Sequence, residues 1–168
     1  MKELNPSDRA LVALLPDPIA VQVDRWRQQY DPNCLLVPPH ITIGFPPFVP
    51  EKEWPSVRPT VADCLRRFAP FTVRLATLGT FDDDPFYLWL RPEDGGILSG
   101  IHEALAQLLP TYFRHSPSPY TPHITVGVFV KRNDLLAAQA TITDEWVPAE
   151  FEVPNLVYMA PSLSLIHI

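Results

Sequence analysis

A nine-residue phrase occurs twice in this chain of 168 residues, as PPHITIGFP at 38–46 and as TPHITVGVF at 121–129. The two copies share a proline, the run His-Ile-Thr, a β-branched residue and a glycine. Runs of β-branched residues next to proline are typical of strands. The length of the chain fits one domain, or two half-size lobes that share a core. In either arrangement, the repeated phrase predicts two similar short strands.

The two copies carry polar and apolar side chains in alternation, and successive side chains of a regular strand point to opposite faces. In the first copy His40 and Thr42 then share one face, with Ile41, Ile43 and Phe45 on the other. By the same rule the second copy places on one face His123, Thr125 and Gly127, and on the other Ile124, Val126 and Val128. We therefore expect each phrase to present a polar pair on a strand whose reverse face joins the core.

The glycines of the two phrases, Gly44 and Gly127, fall on the polar face by this alternation. The absence of a side chain leaves room there for another group to approach the strand closely. An internal repeat could be retained for packing alone, and packing would explain the isoleucines and the glycines. It does not explain why histidine and threonine recur on the face away from the core, so we favour a chemical role for them.

The rest of the chain reads as alternating strands and helices. Strands are predicted at 10–16, 71–81, 86–92 and in the tail 150–168, with a hairpin joining 71–81 to 86–92. Helices are predicted at 19–30, 51–68, 97–109 and 132–142. Pro59 is expected to break or start the second helix, and Asn133 to cap the last. No linker divides the sequence, so we expect one compact α+β domain spanning residues 1–168.

Composition and charge narrow the class of protein. The net charge is −6, whereas surfaces that bind long duplex nucleic acid through many phosphates are usually basic. A small pocket for one phosphate remains compatible with that charge. The apolar run from Ala10 to Leu15 is shorter than the ~7–15 residues of a signal peptide or the ~20 of a membrane span. Cys34 and Cys64 form no Cys-x-x-Cys pair and are expected to be reduced thiols. We expect a soluble, cytoplasmic protein that binds no membrane.

Two histidines on matching strands suit proton transfer at phosphorus. Displacement there needs one group to take a proton from the attacking oxygen and another to give a proton to the leaving oxygen. Imidazole titrates near neutral pH, so one neutral ring and one protonated ring can do both. Threonine hydroxyls can donate hydrogen bonds to the non-bridging oxygens, where negative charge gathers in the transition state. The candidate residues flanking one phosphate are therefore His40, Thr42, His123 and Thr125.

The twin His-x-Thr phrases, with apolar neighbours and a spacing of about half the chain, resemble those of the two-histidine (2H) phosphoesterase superfamily. This superfamily includes 2′-5′ RNA ligase-like proteins and cyclic nucleotide phosphodiesterases. The segment 10–48, ALVALLPDPIAVQVDRWRQQYDPNCLLVPPHITIGFPPF, is similar to the bacterial 2′-5′ RNA ligase-like branch, and the likeness covers nearly the whole chain.

The resemblance implies a bilobal fold with pseudo-two-fold symmetry, in which two antiparallel sheets line a central groove and helices pack outside. It also implies that His40 and His123 are the general acid and base and that Thr42 and Thr125 bind phosphate. Members of such a family need no metal, so no cofactor is expected.

One position departs from the family pattern. RNA-directed members often carry an arginine three residues after the second threonine, where this chain has Val128. Lys131 shares the alternation of His123 and could lean toward the groove, and Phe129 on the same face could stack on a base. The alternatives are a solvated lysine at the strand end and a phenylalanine that fills the groove wall. The missing arginine and the acidic charge weaken the case for a long RNA substrate.

Other chemistries find little support in the sequence. His102, His115 and His167 form no metal-ligand spacing with another His, Cys or carboxylate, so no metal site is predicted. The run DDDP at 82–85 lacks the spaced oxygens of a calcium loop. The sequence has no Gly-rich phosphate loop and no Gly-x-Ser-x-Gly elbow.

The favoured function is a metal-independent phosphodiesterase that opens a 2′,3′-cyclic phosphate, or cleaves a related 2′-5′ or cyclic phosphodiester. Its partner would be a nucleotide or a short RNA end. The alternative is a non-catalytic module of the same fold that binds a nucleotide or RNA end through the His and Thr hydrogen bonds. A third alternative is a structural relic with neither ligand nor catalysis.

Overall fold

The computed structural model describes residues 8–113 and 119–160 with their side chains, and residues 165–167 by their backbone. The helices are α1 (Asp17–Tyr30), α2 (Trp54–Leu65), α3 (Ile97–Leu108) and α4 (Arg132–Glu145). The strands are β1 (Ala10–Leu14), β2 (His40–Gly44), β3 (Phe71–Phe81), β4 (Phe86–Glu93), β5 (Ile124–Phe129), β6 (Ala149–Val153), β7 (Val157–Met159) and β8 (Leu165–His167). They form two sheets, with strand orders β2-β1-β7-β8 and β5-β4-β3-β6.

The expected α+β fold with two antiparallel sheets is confirmed, and two details of the helices differ from the prediction. α2 begins at Trp54 and continues through Pro59, which lies early in the helix and removes a single backbone hydrogen bond. α4 begins at Arg132, so its N-cap is Lys131. Asn133 therefore lies inside the first turn, where its side chain is not in the capping position.

Each copy of the repeated phrase forms an edge strand, β2 in the first sheet and β5 in the second. Each is paired antiparallel with the strand that precedes it across a helix, in the units β1-α1-β2 and β4-α3-β5. The helices cross between the sheets, because α1 packs against β5 and α3 packs against β2. The two edge strands also contact each other, so the phrases meet where the sheets adjoin.

A β-bulge interrupts both repeated strands at the same position. In β2, Gly44 faces Leu11 and Thr42 faces Val12, which leaves Ile43 as the extra residue. In β5, Gly127 faces Leu88 and Thr125 faces Trp89, which leaves Val126 as the extra residue. An extra residue reverses the alternation of side chains beyond it. The strict alternation assumed from the sequence therefore holds only up to the threonine.

The bulges change the faces of the residues that follow them. Gly44 and Gly127 turn to the buried side, and a Cβ added at either would meet the ring of Phe48 at 2.8 Å or of Phe129 at 2.7 Å. The groups that approach these glycines are thus core aromatic rings. Phe45, which was expected on the apolar face, is instead 42% exposed.

One hydrophobic core joins the two sheets and the helices. The reverse faces of the repeated strands belong to it as expected, since Ile41 and Ile124 are fully buried. Burying a side chain of this size stabilises the fold by about 1.5–3 kcal/mol. Trp54 of α2 stacks on Tyr158 of β7 with ring centroids 4.0 Å apart, which fixes α2 on the first sheet. Within the described part of the chain, no helix combines the length and apolar character needed to cross a bilayer.

Candidate active site

The two His-x-Thr pairs line a single cleft of about 170 Å³ where the edge strands meet. His40 and Thr42 come from β2, and His123 and Thr125 from the start of β5. All four side chains are half-buried, so they are accessible to a ligand while shielded from bulk water. The structure thus brings together the four residues that the sequence singled out.

Both imidazoles are held by the same backbone contact. Nδ1 of His40 lies 2.7 Å from the carbonyl oxygen of Pro38, and Nδ1 of His123 lies 2.8 Å from that of Thr121. Because a carbonyl only accepts, Nδ1 carries a proton in each ring. In the neutral ring Nε2 then carries the free lone pair, so Nε2 is the atom available for proton transfer.

The cleft lowers the affinity of both rings for a second proton. Burial is the main cause that lowers the pKa of His40 to about 4. The bond to Pro38 opposes the shift, and the charges of Arg27 and His123 add to it. Burial also lowers the pKa of His123, against its bond to Thr121. Both rings are therefore biased toward the neutral form until an anion occupies the cleft.

Other walls of this cleft come from segments outside the repeats. α1 and the turn after it supply Arg27, Asp31 and Asn33. Tyr87 of β4 and Val128 of β5 complete the opposite wall. The bulge at Val126 explains the position of Val128, because it returns the chain to the side of Thr125.

A wider cleft of about 710 Å³ adjoins the first, and His123 lines both. Several aromatic rings line it, and among them the centroids of Phe81 and Phe45 lie 5.0 Å and 6.5 Å from that of the His123 imidazole. Polar lining groups include Asp83 and Glu103. The two clefts thus form one groove, narrow between the histidines and broad on the His123 side.

A stacked pair of rings supports β2 from the wide cleft. The rings of His102 and Tyr120 are 3.9 Å apart and nearly parallel. Nδ1 of His102 lies 2.7 Å from the carbonyl of Ile43, and the Tyr120 hydroxyl donates to the carbonyl of Thr42 at 2.9 Å. Both acceptors lie at the bulge of an edge strand, where the ladder is interrupted. Burial raises the pKa of Tyr120, so its hydroxyl stays a donor.

Two residues singled out from the sequence lie elsewhere. Phe129 is 7% exposed, and its ring packs against Tyr30 with centroids 5.6 Å apart. The interpretation of Phe129 as a residue that could stack on a base is corrected accordingly, because the bulge at Val126 turns this residue into the core. Lys131 is exposed and caps α4 past the end of β5, as the alternative of a solvated lysine at the strand end had it.

Sequence reasoning missed Arg27, Tyr87, Phe45 and the His102 and Tyr120 pair. One signal was available, since Arg27 shares the helical face of Val23 and Trp26, and an arginine among core-facing residues usually has a buried partner. The others are brought in by tertiary contacts that no local pattern shows. Within residues 8–113 and 119–160, no three His, Cys, Asp or Glu side chains are grouped so that they could hold a metal ion.

Comparison with known proteins bears on the family. A family model described as the 2′-5′ RNA ligase superfamily matches residues 15–161. Among curated relatives, "Putative phosphoesterase BH1439" of Halalkalibacterium halodurans is 28% identical over 125 residues, covering 74% of this chain and 72% of the relative. "Putative phosphoesterase GK0864" of Geobacillus kaustophilus is 25% identical over 118 residues, covering 70% of this chain and 66% of the relative.

Solved structures share the fold at low sequence identity. Escherichia coli LigT, crystallised with 3′-AMP, has a TM-score of 0.57 and 19% identity, with 98% of this chain and 96% of LigT covered. The TT0787 protein of Thermus thermophilus has a TM-score of 0.59 and 20% identity, with 95% and 96% covered. The family model spans most of the chain and agrees with the resemblance of its twin phrases to two-histidine phosphoesterases, so the chain belongs to the 2′-5′ RNA ligase superfamily.

Proposed function

We propose that this protein is a phosphodiesterase that opens a 2′,3′-cyclic phosphate, or cleaves a related 2′-5′ or cyclic phosphodiester, on a nucleotide or a short RNA end. The observation that carries the proposal is the single cleft lined by both His-x-Thr pairs. The names of the two relatives, which are phosphoesterase names, and the complexes of LigT with 3′-AMP, ATP and NADP+ support the choice of a nucleotide phosphoester.

The histidine pair supplies the proton transfers of such a reaction. One neutral imidazole takes a proton through Nε2 from a water molecule, whose oxygen then bonds to phosphorus. The bond from phosphorus to one ribose oxygen breaks, and the other, protonated imidazole gives that oxygen its proton. The phosphodiester becomes a monoester, and the two rings have exchanged protonation states. These proton transfers require no metal ion, because the two rings provide both the acid and the base.

The threonines act on the charge that develops at phosphorus. Thr42 and Thr125 line the same cleft, and their hydroxyls can donate to the non-bridging oxygens. Donors that are already in place stabilise the transition state without reorganising during the reaction. The bound anion itself offsets the low affinity of the two buried imidazoles for a second proton, because its negative charge favours the imidazolium.

The shape of the groove supports a position for the nucleoside on the His123 side. The narrow cleft of about 170 Å³ suits a phosphoryl group, whereas the adjoining cleft of about 710 Å³ has room for a ribose and a base. Phe45 is 42% exposed beside His123, in a cleft that the aromatic rings of Phe81 and Tyr120 also line. Bases stack on such rings with little sequence preference. We therefore assign the base to the wide cleft.

We also place this activity in the cytoplasm. Cys34 and Cys64 are free thiols, which fits a reducing compartment.

The test is a panel of 2′,3′-cyclic nucleotides and 2′-5′ linked dinucleotides, followed by phosphorus NMR with and without EDTA. We expect conversion of at least one diester to a monoester at a rate that EDTA does not change. A cyclic phosphate of ribose without a base should react with a higher KM. The proposal fails if no substrate is converted. A shift of melting temperature by the same nucleotides without product would instead identify the non-catalytic binding module.

A further inference from the structure

The floor of the narrow cleft holds a buried arginine that belongs to neither repeat. Arg27 is 2% exposed although it lines the cleft together with His40. Burying a guanidinium is unfavourable unless its donors and its charge find partners. RNA-directed members of the family often carry an arginine where this chain has Val128, and Arg27 is the one arginine among the described lining residues of the cleft.

All three guanidinium nitrogens of Arg27 have partners within the protein. Nε donates to Oδ2 of Asp31 at 3.0 Å, and Nη1 donates to Oδ1 of Asp24 at 2.8 Å. Nη2 donates to the carbonyl of Val37 at 2.8 Å and lies 3.0 Å from the same Asp31 oxygen. Each of the three guanidinium nitrogens thus has a partner within the protein, and two carboxylates offset much of the charge of Arg27. Its role has to lie in what it holds.

Arg27 holds the segment that leads into β2. Asp31 closes the end of α1 and accepts the backbone N–H of Asn33 through Oδ1 at 2.9 Å. Val37, which accepts from Arg27, is followed directly by Pro38, whose carbonyl lies 2.7 Å from Nδ1 of His40. The buried ion pair is therefore connected to the imidazole through two adjacent backbone carbonyls.

We propose that Arg27 is a positioning residue for His40: with Asp31 it fixes the 31–38 segment, whose Pro38 carbonyl holds the imidazole and aims Nε2 into the cleft. This inference rests on the proposed function for its kinetic consequences. His123 is held differently, because Thr121, whose carbonyl orients it, is exposed. Both imidazoles thus contact a backbone carbonyl through Nδ1. For His40 the segment that carries this carbonyl is held by a buried ion pair, whereas for His123 the residue that carries it is exposed.

This difference between the surroundings of His40 and His123 bears on which of them is the general base and which the general acid. The titratable and charged groups that face His40 are Arg27 and Asp31 from the α1 side, Tyr87 from β4, and His123 across the cleft. Of these, the Arg27 guanidinium lowers the pKa of His40 more than the Asp31 carboxylate raises it. Because Arg27 lines the cleft beside His40 and a neighbouring cation favours the neutral imidazole, His40 takes the proton from water in this proposal. His123 is the ring that is protonated and gives the proton to the leaving oxygen.

The test compares charge with geometry in three variants. Arg27→Met removes the positive charge and the hydrogen bonds of the guanidinium. Arg27→Lys keeps the positive charge but cannot make all of those hydrogen bonds, and Asp31→Asn removes the negative charge of the carboxylate. Arg25→Met, an exposed arginine of the same helix, is the matched control. The His40 ring signal, assigned by its loss in His40→Ala, is titrated by NMR in the free protein. Turnover is measured in parallel as kcat and KM over pH.

The variants should shift His40 in opposite directions. We expect the pKa of His40 to rise in Arg27→Met and to fall in Asp31→Asn, and the acidic limb of the kcat/KM profile to move with it. Arg27→Lys should leave the pKa of His40 low. It should reduce kcat roughly 10- to 100-fold with little change in KM, because the His40 imidazole is no longer correctly oriented. Arg25→Met should behave as the wild type. Circular dichroism identifies any variant that is unfolded.

The outcomes separate this inference from the proposed function. The NMR titration needs no turnover, so it tests Arg27 even if the substrate panel shows no product. If Arg27→Met does not fold, Arg27→Lys and Asp31→Asn still give the kinetic and titration readouts. The inference is overturned if folded variants titrate His40 as the wild type does and lose no kcat. A loss of melting temperature alone would show that the ion pair is only structural.

Discussion

His40 and His123 are oriented by one shared contact, from Nδ1 to the carbonyl two residues earlier, at 2.7 and 2.8 Å. A proline stands between carbonyl and histidine in both copies, at Pro39 and Pro122. Proline fixes its own φ and confines the residue before it to extended conformations. The carbonyl is thereby held beside the ring. The proline of the repeated Pro-His therefore helps to maintain the contact at Nδ1, which leaves Nε2 free in the cleft.

The first prediction concerns the two rings as a unit. We expect His40→Ala and His123→Ala each to lower kcat by about 10²–10⁴-fold, the usual share of a general acid or base. Because the rings act together, the double variant should be little slower than either single one. Initial rates on the best substrate of the panel provide the measurement. Turnover near the wild-type rate in either single variant would contradict the assignment.

The second prediction concerns pH. Turnover requires one neutral and one protonated ring, so kcat/KM rises through the lower pKa and falls through the higher one. In the free protein burial lowers the pKa of both rings from the ordinary 6.5, that of His40 to about 4. The maximum of kcat/KM should therefore lie below pH 6.5. A bound phosphodiester anion favours the imidazolium, so the kcat profile should lie at higher pH. A kcat/KM maximum above neutral pH would show that the rings are not desolvated.

The comparison of sequence with structure turns on the bulges. Alternation placed His40 and Thr42 on one face correctly, because the strand is regular up to the threonine. It misplaced Phe45, Val128 and Phe129, because the extra residue after each threonine reverses the faces. No residue type in the phrase predicts a bulge, since Ile43 and Val126 are ordinary strand formers. The repeat could reveal that the two strands are alike, but not how each is distorted.

The supports of the site illustrate a second limit. The contacts of His102 and Tyr120 with β2 join residues 59 and 78 positions apart in the chain. The 31–38 segment was expected only as the connection between a helix and a strand. Its role depends on Arg27, which is buried and donates to the carbonyl of Val37. Such links come from tertiary packing, which local periodicity does not encode.

The third prediction concerns the threonine hydroxyls. Replacing Thr42 or Thr125 by valine keeps the shape and removes a donor to the phosphoryl oxygens. Loss of one such donor should lower kcat by about 10²-fold, with a smaller effect on KM, because the bond strengthens in the transition state. Thr→Ser at the same positions keeps the hydroxyl and should retain most of the rate. Equal rates for the valine and serine variants would remove the hydroxyls from the mechanism.

The last prediction concerns the glycines behind the bulges. A Cβ at Gly127 would lie 2.7 Å from the Phe129 ring and 2.8 Å from Cβ of Tyr30, and α1 cannot retreat without disturbing the cleft. Gly127→Ala should therefore lower the free energy of unfolding by about 1–3 kcal/mol. Gly100→Ala is the matched control, because its Cβ would meet Phe68 at 3.7 Å inside α3. That change should stabilise the protein by up to about 1 kcal/mol through helix propensity. Urea unfolding followed by tryptophan fluorescence measures both, and equal stabilities of the two variants would mean that α1 is not seated against the second repeat.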